Sequence, residues 1–150
     1  MMSALGIENP MFTVTSDASG SWGYGAHSSN QWFQLQWNEA AASKSIANLE
    51  LIPILLSGLI WGRQWAGKYV CCCCDNQSVM DIIQSCYSRD DDLMQLLRSL
   101  FFIEAAMGFN FIPVHVSGQH NDLADHLSRN RLSLFKQRAS TMVSHPTPIP

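Results

Sequence analysis

The hydrophobic pattern changes period after Trp37. Residues 11–16, MFTVTS, form a β-branched and aromatic run that ends at Asp17, and two aromatic-rich stretches, 21–27 and 31–37, flank the turn-forming Ser28-Ser29-Asn30. This reads as a strand followed by a hairpin, a three-stranded meander. From Ser45 to Trp65 the apolar residues Ile46, Leu49, Ile52, Leu55, Leu56, Leu59 and Ile60 recur at spacings of three and four, which predicts a helix with that set as its buried face. Pro53 inside it removes a backbone donor and is expected to bend or locally break it. A short strand over 69–75 follows, then a helix from Asn76 to Cys86. Ser88 reads as a cap, with the anionic residues after it suited to a helix N-terminus, and Leu93, Leu96, Leu97, Leu100, Ile103 and Met107 carry that helix on. A last strand over 109–116 leads through SGQHN into a short helix over 122–130.

The order of elements is three strands, helix, strand, two helices, strand, helix. It implies an α/β fold with a mixed five-stranded sheet, the antiparallel meander plus two parallel strands, and helices on both faces. Residues 11–135 are read as one domain, with 1–10 an N-terminal extension and 136–150, ending HPTPIP, a linker or tail. Charged residues make up 14% of the chain, below the roughly 25% usual for globular domains. More of the sequence is therefore free for packing or for a partner. The formal charge of −3 gives no general attraction to a polyanion, so recognition of one has to come from local basic groups, cations or a neighbouring domain. The opening MMSALGIENP lacks the basic segment and apolar core of a secretory leader, and LIPILLSGLIWG at 51–62 is too short to cross a bilayer. An intracellular protein with reduced thiols and no membrane partner is expected.

Four consecutive cysteines, Cys71 to Cys74, invite a metal or redox reading. A strand here points Cys71 and Cys73 to one face and Cys72 and Cys74 to the other, so no single zinc collects all four. Adjacent cysteines are also poor disulfide partners. The run is read as small, buriable apolar filler that delivers Asp75 at its end.

Asp17 ends the first strand and Asp75 ends the cysteine strand. If a helical crossover sets these strands parallel and adjacent, both aspartates stand at the carboxyl end of the sheet, where open α/β sheets bind ligands. Glu50 lies on the helix between them, on or near its apolar face, and Asp125 lies on the final helix within NDLADHLSR. Four carboxylates gathered in one dry corner repel one another unless cations sit between them. A pair of Mg²⁺ ions, roughly 3.5–4 Å apart in such sites, clamps the attacking water and the leaving oxygen of a phosphodiester. Oxygen-only ligands favour Mg²⁺, with Mn²⁺ as a substitute, over zinc.

The ordered blocks TVTSDASGSWGYGA, LELIPILLSG, CDNQSVMDII and HVSGQHNDLADHLSRNR resemble the motif blocks of the ribonuclease H domain of retroelement reverse transcriptases. The likeness is greatest to the tyrosine-recombinase retrotransposons of the DIRS type and covers residues 11–135. It implies a ribonuclease H-like fold and Mg²⁺-dependent endonucleolytic cleavage of the RNA strand of an RNA:DNA hybrid, beside an upstream reverse transcriptase domain in a parent polyprotein. It matches Asp17, Glu50, Asp75 and Asp125 to the family's catalytic and metal-binding acids, in preference to Glu39 and Asp122. Ser19, Asn76, Gln77 and Ser78 are placed to contact sugar or phosphate, with helix capping the rival reading of Asn76 and Gln77. The family's histidine loop is here only SGQHN, so His120 is an auxiliary candidate and His115 a structural one. Two other readings keep the fold: an inactive bracing module or retroelement remnant, and a carboxylate-dependent DNA nuclease or transposase-like domain.

Overall fold

A computed structural model describes residues 12–39, 44–139, 142–143 and 145–149, so the expected extension over 1–10 lies outside the described residues. Strands β1 (Phe12–Ala18), β2 (Gly23–Ser28) and β3 (Gln31–Gln36) form the antiparallel meander. Ser29, at φ 54°, supplies the left-handed turn between β2 and β3. Strand β4 (Tyr69–Cys74) pairs parallel with β1 on one side and with β5 (Asn110–His115) on the other. The order β3-β2-β1-β4-β5 is the mixed five-stranded sheet expected from the sequence.

Adjacent residues of β3 reveal the layers. Phe33 faces a large core shared with helix α1 (Ile46–Trp61) and its ring sits 5.3 Å from that of Trp61, whereas Trp32 faces a smaller core on the opposite side of the sheet. Alternation along a strand requires this division. The large core also takes helices α2 (Gln77–Ser85) and α3 (Asp91–Met107), and an aromatic chain of Trp61, Trp65, Phe109 and Phe111 runs through it. The smaller core lies under α4 (Asp122–Ser128) and α5 (Leu132–Arg138).

Helix α1 departs from its expected face. Ile46 and Leu59 are exposed, while Glu50, Ile54, Ser57, Gly58 and Trp61 are buried. The helix is apolar on nearly every side, so spacing alone did not identify the stripe that meets the sheet. Pro53 does not end it; the helix runs from Ile46 to Trp61 and continues as a 3-10 turn over Gly62–Trp65. Gly62 permits the close approach of α3, since a Cβ there would stand 2.9 Å from Met107 Cγ. By length and composition 46–65 would pass for a membrane span, yet over half of that stretch is buried in the fold, as in a core helix.

Two more expectations are corrected. Asp90, not Ser88, caps α3: its Oδ1 accepts from Leu93 N–H at 3.0 Å, and Ser88 Oγ accepts from Asp90 N–H. In a run of several capping residues, the one that reaches the third helical N–H takes the role. The domain also continues past 135. Helix α5 spans the expected boundary, with Phe135 wholly buried 5.1 Å from Trp32, and beyond it Trp32 Nε1 donates to Val143 O while Thr147 N–H donates to Trp32 O. Phe135, Ala139 and the backbone of Val143 and Thr147 thus close over Trp32.

Candidate active site

The parallel register of β1 and β4 pairs Thr15 with Cys73; continued by two residues, it sets Asp17 beside Asp75. Alternation turns Ser16 and Ala18 toward the α1 side and Asp17 toward α4; on β4 it turns Cys74 toward α1, and Asp75 follows directly after the strand. Cys72 and Cys74 are fully buried against the large core while Cys71 and Cys73 are half-buried on the other face, so the cysteine run alternates as expected. Asp17 is 4% exposed, and burial with the charge of Asp75 beside it pushes its carboxyl up to about 7, against the pull of a hydrogen bond from Ser128.

Glu50 comes from the other face of the sheet. It lies on the buried stripe of α1 and reaches the strand ends, where it meets the backbone of Ala18 and the Cys74 thiol. Burial and then the charges of Asp17 and Asp75 raise it to about 9. The Cys74 thiol lies 3.6 Å from Glu50 Oε2 and accepts from Asn76 N–H at 3.5 Å. Ligand atoms of Glu50, Cys74 and Asp75 all fall within 4.8 Å of one another. The filler reading holds for Cys72, but Cys74 touches a site acid. Its thiol is pushed well up by burial and by Glu50, so the protonated sulfur stands as a donor toward the carboxylate.

Asp125 closes the group from α4. It contributes to the charge on Asp17 and lies within hydrogen-bonding reach of it. Arg129 Nε bonds Asp125 Oδ1 at 2.9 Å, one helical turn along, and Arg131 stands 3.8 Å from the other oxygen. Helix α4 is held flush to the sheet by Gly25: a Cβ there would lie 2.5 Å from Leu127 Cβ. Ser128 Oγ lies 2.9 Å from Asp17 Oδ2, and Ser128 O accepts from Ser19 Oγ at 2.7 Å. Asn121, just before α4, donates from Nδ2 to Ser16 O, while its buried Oδ1 has no partner among the described residues.

The four acids selected from the sequence are therefore brought together at one end of the sheet. Glu39 is exposed, and Asp122 pairs with Arg138 at 2.8 Å. Ser19 is corrected: it is buried, and its hydroxyl braces the β1–β2 turn and Ser128, which leaves none of it for a sugar or phosphate. Asn76 caps α2, its Oδ1 accepting from Val79 N–H, and Gln77 bonds Asp81. Ser78 is exposed on the first turn of α2. His120 is exposed with Nδ1 2.7 Å from Ser117 Oγ, and His115 bonds the carbonyl of Asp75. Ser128, Asn121 and the two arginines were not singled out from the sequence, and Cys74 was read there as filler. Ser128 was accessible there, since it follows Asp125 by three on a predicted helix and so shares its face.

The donor set suits a hard divalent cation. Two buried acids are raised by burial and by mutual repulsion, and positive charge placed among them relieves both effects.

No protein-family model matches the chain, and no curated protein matches it in sequence. Solved structures do match in fold. LC11-RNase H1, in complex with an RNA/DNA hybrid, superposes with a TM-score of 0.62 at 15% identity, covering 82% of this chain and 97% of that one. The N-terminal RNase H domain of Rv2228c from Mycobacterium tuberculosis gives 0.58 at 15% identity, covering 87% and 99%. The foamy viral protease-reverse transcriptase, also solved with an RNA/DNA hybrid, gives 0.57 at 12% identity, covering 79% of this chain and 19% of that one. The chain has a ribonuclease H-like fold.

Proposed function

We propose that this protein is a ribonuclease H that hydrolyses the RNA strand of an RNA:DNA hybrid, with Asp17, Glu50, Asp75 and Asp125 as the ligands of two Mg²⁺ ions. The observation that carries this reading is the meeting of Asp17 and Asp75 on adjacent parallel strands, with Glu50 arriving from one face of the sheet and Asp125 from the other. Two solved ribonuclease H structures of the same fold, one holding an RNA/DNA hybrid, and a protease-reverse transcriptase that also holds one support it. Mg²⁺ bound by these carboxylates supplies the positive charge that activates water and stabilises the departing 3′ oxygen.

The chain's own residues supply position. Ser128 orients Asp17, the Cys74 thiol and the Ala18 backbone orient Glu50, and Gly25 sets the depth of the helix that carries Asp125. Asn76, Gln77 and Ser78, at the N-terminal turn of α2 directly after Asp75, are the groups placed to meet the substrate backbone. Recognition of the hybrid follows groove shape and the 2′-hydroxyl.

The resemblance of the ordered sequence blocks supports a retroelement polyprotein of the DIRS type as the setting, in which an upstream reverse transcriptase domain would present the hybrid. Hybrid, duplex DNA and single strands assayed side by side with Mg²⁺ or Mn²⁺ test the reading. Cleavage confined to the RNA of the hybrid is expected. Preferential cutting of duplex DNA would point to a transposase-like nuclease, and no cutting at all to an inactive module.

A further inference from the structure

Arg129, Arg131, Lys136 and Arg138 place four of the chain's nine lysines and arginines within ten residues that contain no acid, in a protein of net charge −3. The fold sets this segment against the carboxylate site. Arg129 and Arg131 face Asp125. Arg138 Nη2 lies 2.8 Å from Asp122, which precedes Asp125 by three residues on the same face of α4, about 4.5 Å along the helix axis. A basic row therefore leads away from Asp125 along α4 and α5.

The row is anchored and still open to solvent. Phe135 fixes α5 by inserting wholly between Trp32 and Leu127, while Lys136 is exposed and the Arg131 and Arg138 side chains are 49% and 62% exposed. Arg129 holds Asp125 in a close one-turn pair. Arg131 is more weakly held, its contact with Asp125 being 3.8 Å. An ion pair this exposed contributes little to stability, so its partner is readily exchanged for a phosphate. Guanidinium groups suit such oxygens through paired N–H donors.

We infer that Arg131, Lys136 and Arg138 form a contact surface for nucleic-acid phosphates, which carries the bound strand away from the carboxylate site over α5. The surface rests on the proposed hydrolysis, because it takes its substrate from that site. It supplies locally the attraction that the net charge withholds. Contact with phosphates reads no sequence.

The test is fluorescence-anisotropy titration of a labelled RNA:DNA hybrid in Ca²⁺ over a range of salt concentrations. It compares the full chain with K136Q/R138Q, with R131Q and with R63Q/K68Q, the last being cations in the 3-10 turn after α1 and just before β4. The dependence of log affinity on log salt should become shallower by roughly 0.7–0.9 for each phosphate contact removed. The α5 double variant and R131Q should show this while R63Q/K68Q keeps the wild-type slope. A wild-type slope in both α5-side variants, with or without a lower melting temperature, overturns the surface and marks these residues as braces for Asp122 and Asp125. Cleavage by the wild-type chain, read separately in Mg²⁺, distinguishes that failure from failure of the proposed hydrolysis. A wild-type chain that neither cuts nor binds hybrid overturns both.

Discussion

Ser128 Oγ stands 2.9 Å from Asp17 Oδ2, and joins the last turn of α4 to the end of β1 across 111 residues of chain. The same residue accepts the Ser19 hydroxyl through its carbonyl, so the β1–β2 turn, Asp17 and the helix that bears Asp125 are tied at one point. The hydroxyl opposes the rise in the Asp17 pKa that burial and Asp75 impose. It favours the ionised form that a cation requires.

Ser128→Ala should therefore weaken divalent-cation binding as well as stability. Loss of a hydrogen bond to a charged group typically costs about 1.5–3 kcal/mol. A Mg²⁺ titration followed by calorimetry should show about tenfold or greater loss of affinity, with the fold retained.

The raised acids predict how the cation-free protein responds to pH. Asp17 rises from an ordinary value of 3.8 to about 7, and Glu50 from 4.5 to about 9. The folded state holds both protons where the unfolded chain has lost them, so this contribution is fully present below pH 4 and is lost as pH climbs through about 7 and then about 9. Melting temperature in chelator should fall across that window. Asp17→Asn should make the decline shallower up to about pH 7, and Glu50→Gln should make it shallower throughout and remove the part between about 7 and about 9. In Mg²⁺ the decline should flatten, because the cation binds the ionised acids.

The cysteines separate by face. Cys72→Ala deletes a fully buried sulfur whose acidic neighbour is Glu104 rather than one of the four site acids, and should cost about 1–2 kcal/mol, as deletion of a buried group of that size does, with Mg²⁺-dependent activity unchanged. Cys74→Ala should cost a similar amount and also lower activity, because Glu50 loses its sulfur neighbour. Urea melts paired with hybrid cleavage distinguish the two.

Phe135→Ala should destabilise by about 3–5 kcal/mol, the usual cost of emptying a buried phenylalanine site. Truncation after residue 131 should have at least as large an effect, since it uncovers Trp32. A tail over 136–150 that acted only as a linker would leave the urea midpoint unmoved on truncation after residue 135.

The sequence made strand-borne features legible and helix-borne ones less so. Asp17 and Asp75 were readable because each terminates a short apolar strand, and parallel pairing with a helical crossover brings such termini together. Glu50 lies on the buried side of α1 but on a different stripe from the expected one, because Ile46 and Leu59 fit the spacing as well as Ile54 and Trp61 do and only contact with the sheet decides. Helix α5 was missed because its single buried anchor, Phe135, leaves no periodicity to read. Cys74 looked like its three neighbours; what sets it apart is the arrival of Glu50 from another element. Ser19 follows Asp17 by two and so looked available, yet the β1–β2 turn folds its hydroxyl inward.

The central claim is that these four acids form one cation-dependent hydrolytic site, and the most direct measurement is Mg²⁺-dependent cleavage of an end-labelled RNA:DNA hybrid by the wild-type chain beside Asp75→Asn. Wild type should cut the RNA strand and leave 5′-phosphate and 3′-hydroxyl ends. Asp75→Asn should bind hybrid comparably in Ca²⁺ and lose cleavage by at least about a hundredfold, a loss of roughly 2.7 kcal/mol in barrier lowering. An Asp75→Asn protein that cleaves at the wild-type rate would contradict the account.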